Sequence, residues 1–220
     1  MSEDEEQAVA ACRAWLTRVV DIDCRSGGYD EENILAALEE NIVSELGAPH
    51  PALLAELSEK MRAGLAAQDE VERGFPARTV NDAIESAFTA LTFRGVLAVE
   101  GLGSTTQEGW ARAEALAQGI GGVRGCTFFH RQDLERAVDG EGLFLAFGAL
   151  DGEREAPAET TAPGDVVRVG PQRADRNVGG PRARDTEATC AIGREVVAVL
   201  KHYGVETRWD GSAHTRIVIP

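Results

Sequence analysis

The 220-residue chain is 43% apolar, enough to bury a real core, and carries a formal charge of −15. No Lys/Arg cluster with interleaved aromatics offsets that charge, which argues against a nucleic-acid partner, and no apolar run approaches the roughly 18 residues of a membrane span. The opening Ser2-Glu3-Asp4-Glu5-Glu6 is the reverse of a basic signal-peptide start, so the expectation is a cytoplasmic, soluble protein that contacts neither nucleic acid nor membrane.

The acidity is uneven. Residues 1–75 hold 17 acids and 6 bases, a net of −11 that leaves −4 for the remainder. Three amphipathic helices are predicted there. The first covers residues 4–20, with Val9, Cys12, Leu16, Val19 and Val20 on one side, and ends at Ser26-Gly27-Gly28. Asp30 is the N-cap of the second, which runs through Ile34, Leu35, Leu38, Ile42 and Leu46 to Gly47. The third spans about Pro51 to Arg73, with Leu53, Leu54, Leu57, Met61 and Leu65 as its stripe. Residues 1–75 read as an acidic helical annex and 76–220 as an α/β domain.

Thr79-Val80-Asn81-Asp82 resembles a capping box for a fourth helix carrying Ile84, Phe88 and Leu91. Strand and helix then alternate from 96 to 148: a strand at Val96–Val99, a polar loop at Gly101–Gln107, a helix at Trp110–Gln118, a strand at Cys126–Phe129, a helix at Gln132–Val138 and a strand at Leu143–Phe147. That alternation predicts an α/β fold, α+β being the alternative, with a mostly parallel sheet flanked by helices. Asp151 to Thr189, with eight acids, six bases and abundant Pro and Gly, reads as a polar insertion whose one element is a short strand at Val166–Val169. A helix at Ala191–His202 and an antiparallel hairpin of Val205–Trp209 and Thr215–Ile219, turning at Asp210-Gly211, close the chain.

Several segments together resemble an uncharacterised bacterial family, a domain of unknown function. They are Phe128-Phe129-His130-Arg131-Gln132-Asp133, Leu143 to Ala149, Ile192-Gly193-Arg194-Glu195-Val196-Val197, and Val205 to Ile219 around Trp209-Asp210-Gly211. The resemblance covers roughly residues 79–150 and 190–220. It implies a fold and a location but no reaction.

In a parallel sheet ligands bind beyond the carboxyl ends of the strands, where Ser104–Gln107 and His130–Asp133 are expected. A crevice lined by Thr105, Gln107, His130 and Gln132, with Trp110 and Asp133 beside it, is the candidate ligand site. His130 is the candidate catalytic acid or base, set against the reading of a hydrogen-bonding plug with Asp133 as a helix N-cap. Arg194, in a first helical turn where a base is not favoured, is a candidate contact for an anion or acidic partner.

Other chemistries fit poorly. Cys126 and His130 lie about 13 Å apart along a strand, too far for a dyad. Gly101-Leu102-Gly103 lacks the third glycine of a dinucleotide loop, which would stand at Thr106, and Gly109 is followed by Trp110 rather than the Lys of a P-loop. Cys12, Cys24, Cys126 and Cys190 form no CxxC pair, and Cys12, Cys24 and His50 have no recognisable zinc spacing. No metal and no cofactor are expected. Charge asymmetry and the missing catalytic constellation favour a binding or regulatory module with an unidentified protein or small-molecule partner, such as a basic one met by residues 1–75. The alternative is a small hydrolase or transferase using His130 with Gln107 or Asp133.

Overall fold

A computed structural model describes residues 3–150 and 186–220. The chain divides into two compact units, residues 1–77 and 78–220. The first holds α1 (Glu3–Ser26), α2 (Glu31–Leu46) and α3 (Pro51–Glu72). The Asp30 carboxylate accepts the Asn33 amide at 2.8 Å to open α2, and Gly47, at φ 71°, closes it in a left-handed turn that other residues adopt with strain. His50 Nδ1 accepts the Leu53 amide at 3.1 Å and Pro51 follows in the first turn, which together start α3. The apolar stripes meet in one cluster that includes Cys12, Leu16, Cys24, Leu38, Leu57 and Met61. Cys12 and Cys24 are thus core residues and His50 is a helix cap. Among the described residues no group of three or more His, Cys, Asp or Glu is placed to hold a metal ion.

The second unit runs α4 (Val80–Phe93), β1 (Val96–Val99), α5 (Thr106–Gly119), β2 (Gly125–Phe128), α6 (Arg131–Val138), β3 (Leu143–Ala149), α7 (Thr186–His202) and β4 (Ile217–Ile219). Thr79 and Asp82 form the predicted capping box: the Asp82 carboxylate accepts the Thr79 amide at 2.6 Å while Thr79 Oγ1 accepts the Asp82 amide at 3.2 Å. The strands form one sheet in the order β1-β2-β3-β4. Side-chain alternation divides the core between its faces. Val96, Leu145, Phe147, Ile217 and Ile219 pack with α4 and α7, while Leu97, Cys126, Phe128 and Ala146 pack with Trp110 and Ala113 of α5.

The fold is α+β and the sheet is mixed rather than mostly parallel. β1 and β2 are parallel, whereas β2–β3 and β3–β4 are antiparallel. The difference lies in the connecting helices. A parallel crossover needs a helix with an apolar face to lie across the sheet. α5 buries Gly109, Trp110 and Ala113 and supplies one; α6 buries only Asp133, so the chain turns back at the same end of the sheet. The terminal hairpin is also smaller than its sequence suggests. It contains one paired position, Arg208 with Val218, because residues 210–216 form a loop rather than a tight turn. The Asp210 carboxylate takes the Ser212 amide at 2.8 Å and the Thr215 hydroxyl, and Trp209 Nε1 donates to the Ser212 carbonyl at 3.0 Å. The expected strand at Val166–Val169 lies outside the described residues. No described helix is long and apolar enough to cross a membrane.

Candidate functional site

The loop after β1 and the loop after β2 lie side by side. The Leu102 amide donates to the Phe129 carbonyl at 2.9 Å, and the Arg131 amide to the Gly103 carbonyl at 3.0 Å. Gly103, at φ 78°, permits the turn: a Cβ there would stand 3.1 Å from the Gly109 amide nitrogen and the same distance from Glu108 Cγ. Thr105 caps α5 by accepting the Glu108 amide at 3.3 Å, and Glu108 reaches back to the Ser104 amide at 2.8 Å. One of the first-turn amides of α5, that of Glu108, is thereby satisfied by the chain's own side chain.

His130 is the N-cap position of α6 and Asp133 its third residue, not its cap; the Asp133 carboxylate accepts the His130 amide at 3.1 Å. The inward turn of α6 aims both side chains at Arg216, delivered from the far end of the chain by the 210–216 loop. Arg216 Nη1 donates to Asp133 Oδ1 at 2.5 Å, and Arg216 Nη2 donates to Thr106 Oγ1 at 2.6 Å. His130 Nε2 lies 2.8 Å from Thr106 Oγ1, 3.1 Å from Arg216 Nη2 and 3.3 Å from Asp133 Oδ2. Arg136, one turn along α6, donates to Asp133 Oδ1 at 3.1 Å from a partly exposed position. His130, Asp133 and Arg216 are 1%, 0% and 4% exposed, so the cluster is closed to water.

Electrostatics follow from that closure. Burial, reinforced by the charges of Arg216 and Arg136, lowers the His130 pKa to about 4, so the imidazole is neutral at pH 7. With guanidinium protons on one side and the Thr106 hydroxyl on the other, Nε2 is the acceptor and the ring proton sits on Nδ1. Burial lifts the Asp133 carboxyl while Arg216 pulls it back, and the same burial lowers Arg216. A guanidinium holds its proton throughout the accessible pH range, so the pair is ionic. His130 Nδ1 and Arg216 Nε are buried without hydrogen-bond partners.

The sequence candidates thus separate. His130 and Asp133 share this cluster. Thr105, Gln107 and Gln132 are exposed near its rim. Trp110 is 2% exposed and stacks edge-on against Phe128, with ring centroids 5.1 Å apart, as a core residue. Arg194 lies on α7, where it pairs with exposed Glu187 at 2.6 Å. Trp209 meets Phe147 edge-on at 5.2 Å. Thr106 falls within the expected Ser104–Gln107 segment, whereas Arg136 and Arg216 lie outside both segments expected at the site. The available signal for Arg216 was a lone cation adjoining Ile217-Val218-Ile219, since a charge folded in with such a strand needs a buried partner.

Chemically, the arrangement holds two loops, one helix start and the last strand together through a single ionic and hydrogen-bonded knot. It contains a hydroxyl beside an imidazole, but the carboxylate stands by that same nitrogen, Nε2, rather than by Nδ1, where an orienting carboxylate belongs.

Neither a curated protein nor a solved structure matches the chain. A family model described as domain of unknown function (DUF6891) matches residues 9–169 and 179–220, nearly the whole length, and the chain belongs to that family.

Proposed function

We propose that the chain is a non-catalytic binding or regulatory module of the cytoplasm. The observation that carries this reading is the internal charge pairing and the enclosure of the His130–Asp133–Arg216 cluster. Each charge there faces a partner within the chain, and the imidazole is held neutral well below its ordinary pKa. A general acid or base needs contact with its substrate, and this histidine is 1% exposed. The acidic composition and the lack of a long apolar helix among the described residues accord with a cytoplasmic setting.

One observation favours a second reading, a small hydrolase or transferase: Thr106 Oγ1 lies 2.8 Å from His130 Nε2 and is part-buried rather than sealed. Hydrolysis of p-nitrophenyl acetate and p-nitrophenyl phosphate by the parent and by Thr106→Val decides between them. The binding reading predicts equal background rates. A parental rate lost in Thr106→Val, with an unchanged unfolding midpoint, would overturn it in favour of an enzyme.

A further inference from the structure

Among the described residues β1 is an edge strand, bordered in the sheet by β2 alone, whereas the outer side of β4 is met by Arg208. Its Ala98 amide turns away from β2 and donates to Thr92 Oγ1 at a long 3.3 Å, so one outward backbone group is held only by a side chain that can swing aside. Beside this edge, β1 and α4 enclose an open groove of about 460 Å³. Its apolar wall is Phe88, Ala98 and Phe93, the last 88% exposed although it is a large aromatic. Glu85 and Glu100 also line the groove, and no described Lys or Arg does. Neither carboxylate has an ion-pair partner among the described residues. Partial burial and the Glu85 charge push the Glu100 carboxyl above its ordinary value, the mark of a negative site lacking its counter-charge.

Resting on the binding-module reading above, we infer that this groove receives an extended segment of a protein partner, added as a strand to the free edge of β1 with a lysine or arginine set between Glu85 and Glu100. Main-chain hydrogen bonds along β1 supply the attachment, and side chains on the face shared with Ala98 enter the groove, where aliphatic stems rest on Phe88 and Phe93 and the cationic head reaches the carboxylates. Charge rules against a second copy as the occupant. A second copy would bring a groove that likewise carries Glu85 and Glu100 and no described base, so it supplies no counter-charge.

The test selects phage-displayed random peptides on the immobilised full chain and, in parallel, on Glu85→Gln/Glu100→Gln, whose urea midpoint is checked against the parent. Enrichment on the parent of β-prone peptides carrying Lys or Arg is expected. A synthetic copy of an enriched peptide should bind roughly ten-fold more weakly to the double variant, as two partly exposed ion pairs warrant, and should shift the backbone amide resonances of Val96–Glu100. No enrichment, enrichment without basic residues, or unchanged affinity for the double variant overturns the assignment. So does a monomer–dimer equilibrium abolished by Phe93→Ser, which would give the groove to a second copy. Peptides that bind parent and variant equally would refute the groove yet leave the binding module standing; ester hydrolysis dependent on Thr106 would refute the binding module instead.

Discussion

Replacing Arg216 by Met would remove the cation from a carboxylate that is 0% exposed. Breaking a buried ion pair by deleting one partner costs roughly 3–5 kcal/mol, because the remaining charge stays desolvated. Asp133 would keep Arg136 at 3.1 Å and the His130 amide at 3.1 Å, which places the expected loss at the lower end, about 3 kcal/mol. With a urea dependence of roughly 1–3 kcal/mol per molar, the midpoint should fall by about 1–3 M. Tryptophan fluorescence reports it: Trp110 and Trp209 belong to residues 78–220 and are buried or half-buried, whereas Trp15 of residues 1–77 is 45% exposed. A loss below about 0.5 kcal/mol would refute the reasoning, since that is the worth of an exposed pair. Asp133→Leu/Arg216→Met, which removes both charges and keeps an apolar fill, should be more stable than Arg216→Met alone.

Further expectations concern His130, Gly109 and the four cysteines. The His130 ring should show the Nδ1-protonated tautomer at pH 7 and a midpoint near 4 in an NMR titration; a midpoint near 6.5 would mean an open site. Because the unfolded imidazole titrates near 6.5, the unfolded chain binds more protons between about 6.5 and 4, and stability falls by about 3 kcal/mol as the pH drops through that window. His130→Gln should remove that slope, leaving the opposite contribution of Asp133, whose raised carboxyl favours the folded state as it protonates. Gly109→Ala would place its Cβ 2.2 Å from Phe128 Cε2 and 2.8 Å from the Leu102 carbonyl oxygen, and should cost about 1–3 kcal/mol in urea unfolding. With Cys12, Cys24 and Cys126 buried and Cys190 partly exposed, a chromogenic disulfide reagent should titrate Cys190 in the native protein and all four thiols in urea. Rapid native reaction of Cys126, whose burial pushes its thiol pKa upward, would contradict the packing around α5.

Local chemistry made the helix ends readable from sequence. Asp30, Gly47 and the Thr79–Asp82 pair act on backbone groups within a few residues, so they carry their meaning wherever the rest of the chain goes. The starts of α5 and α7, at Thr106 and Thr186, fall earlier than apolar spacing indicates because their first turns are polar. Sheet direction was harder. Alternating strands and helices suggested a parallel sheet, and only the missing apolar face of α6 marks the reversal. His130 and Asp133 stood out as polar residues closing a strand, yet their environment depends on Arg216, 83 positions beyond Asp133, and no local pattern specifies that meeting. The groove beside β1 has no local signature either: Glu85, Phe93 and Glu100 become neighbours only when α4 packs beside β1.

On the proposed reading, the buried cluster fastens the fold and the exposed edge of β1 does the binding. The most direct measurement is one titration of a groove-selected basic peptide into the parent, into Asp133→Leu/Arg216→Met and into Glu85→Gln/Glu100→Gln. The account predicts parental affinity for the first variant, provided it is folded, and a roughly ten-fold loss for the second. Lost affinity in the folded cluster variant, with full affinity in the groove variant, would contradict it and return function to His130 and its neighbours.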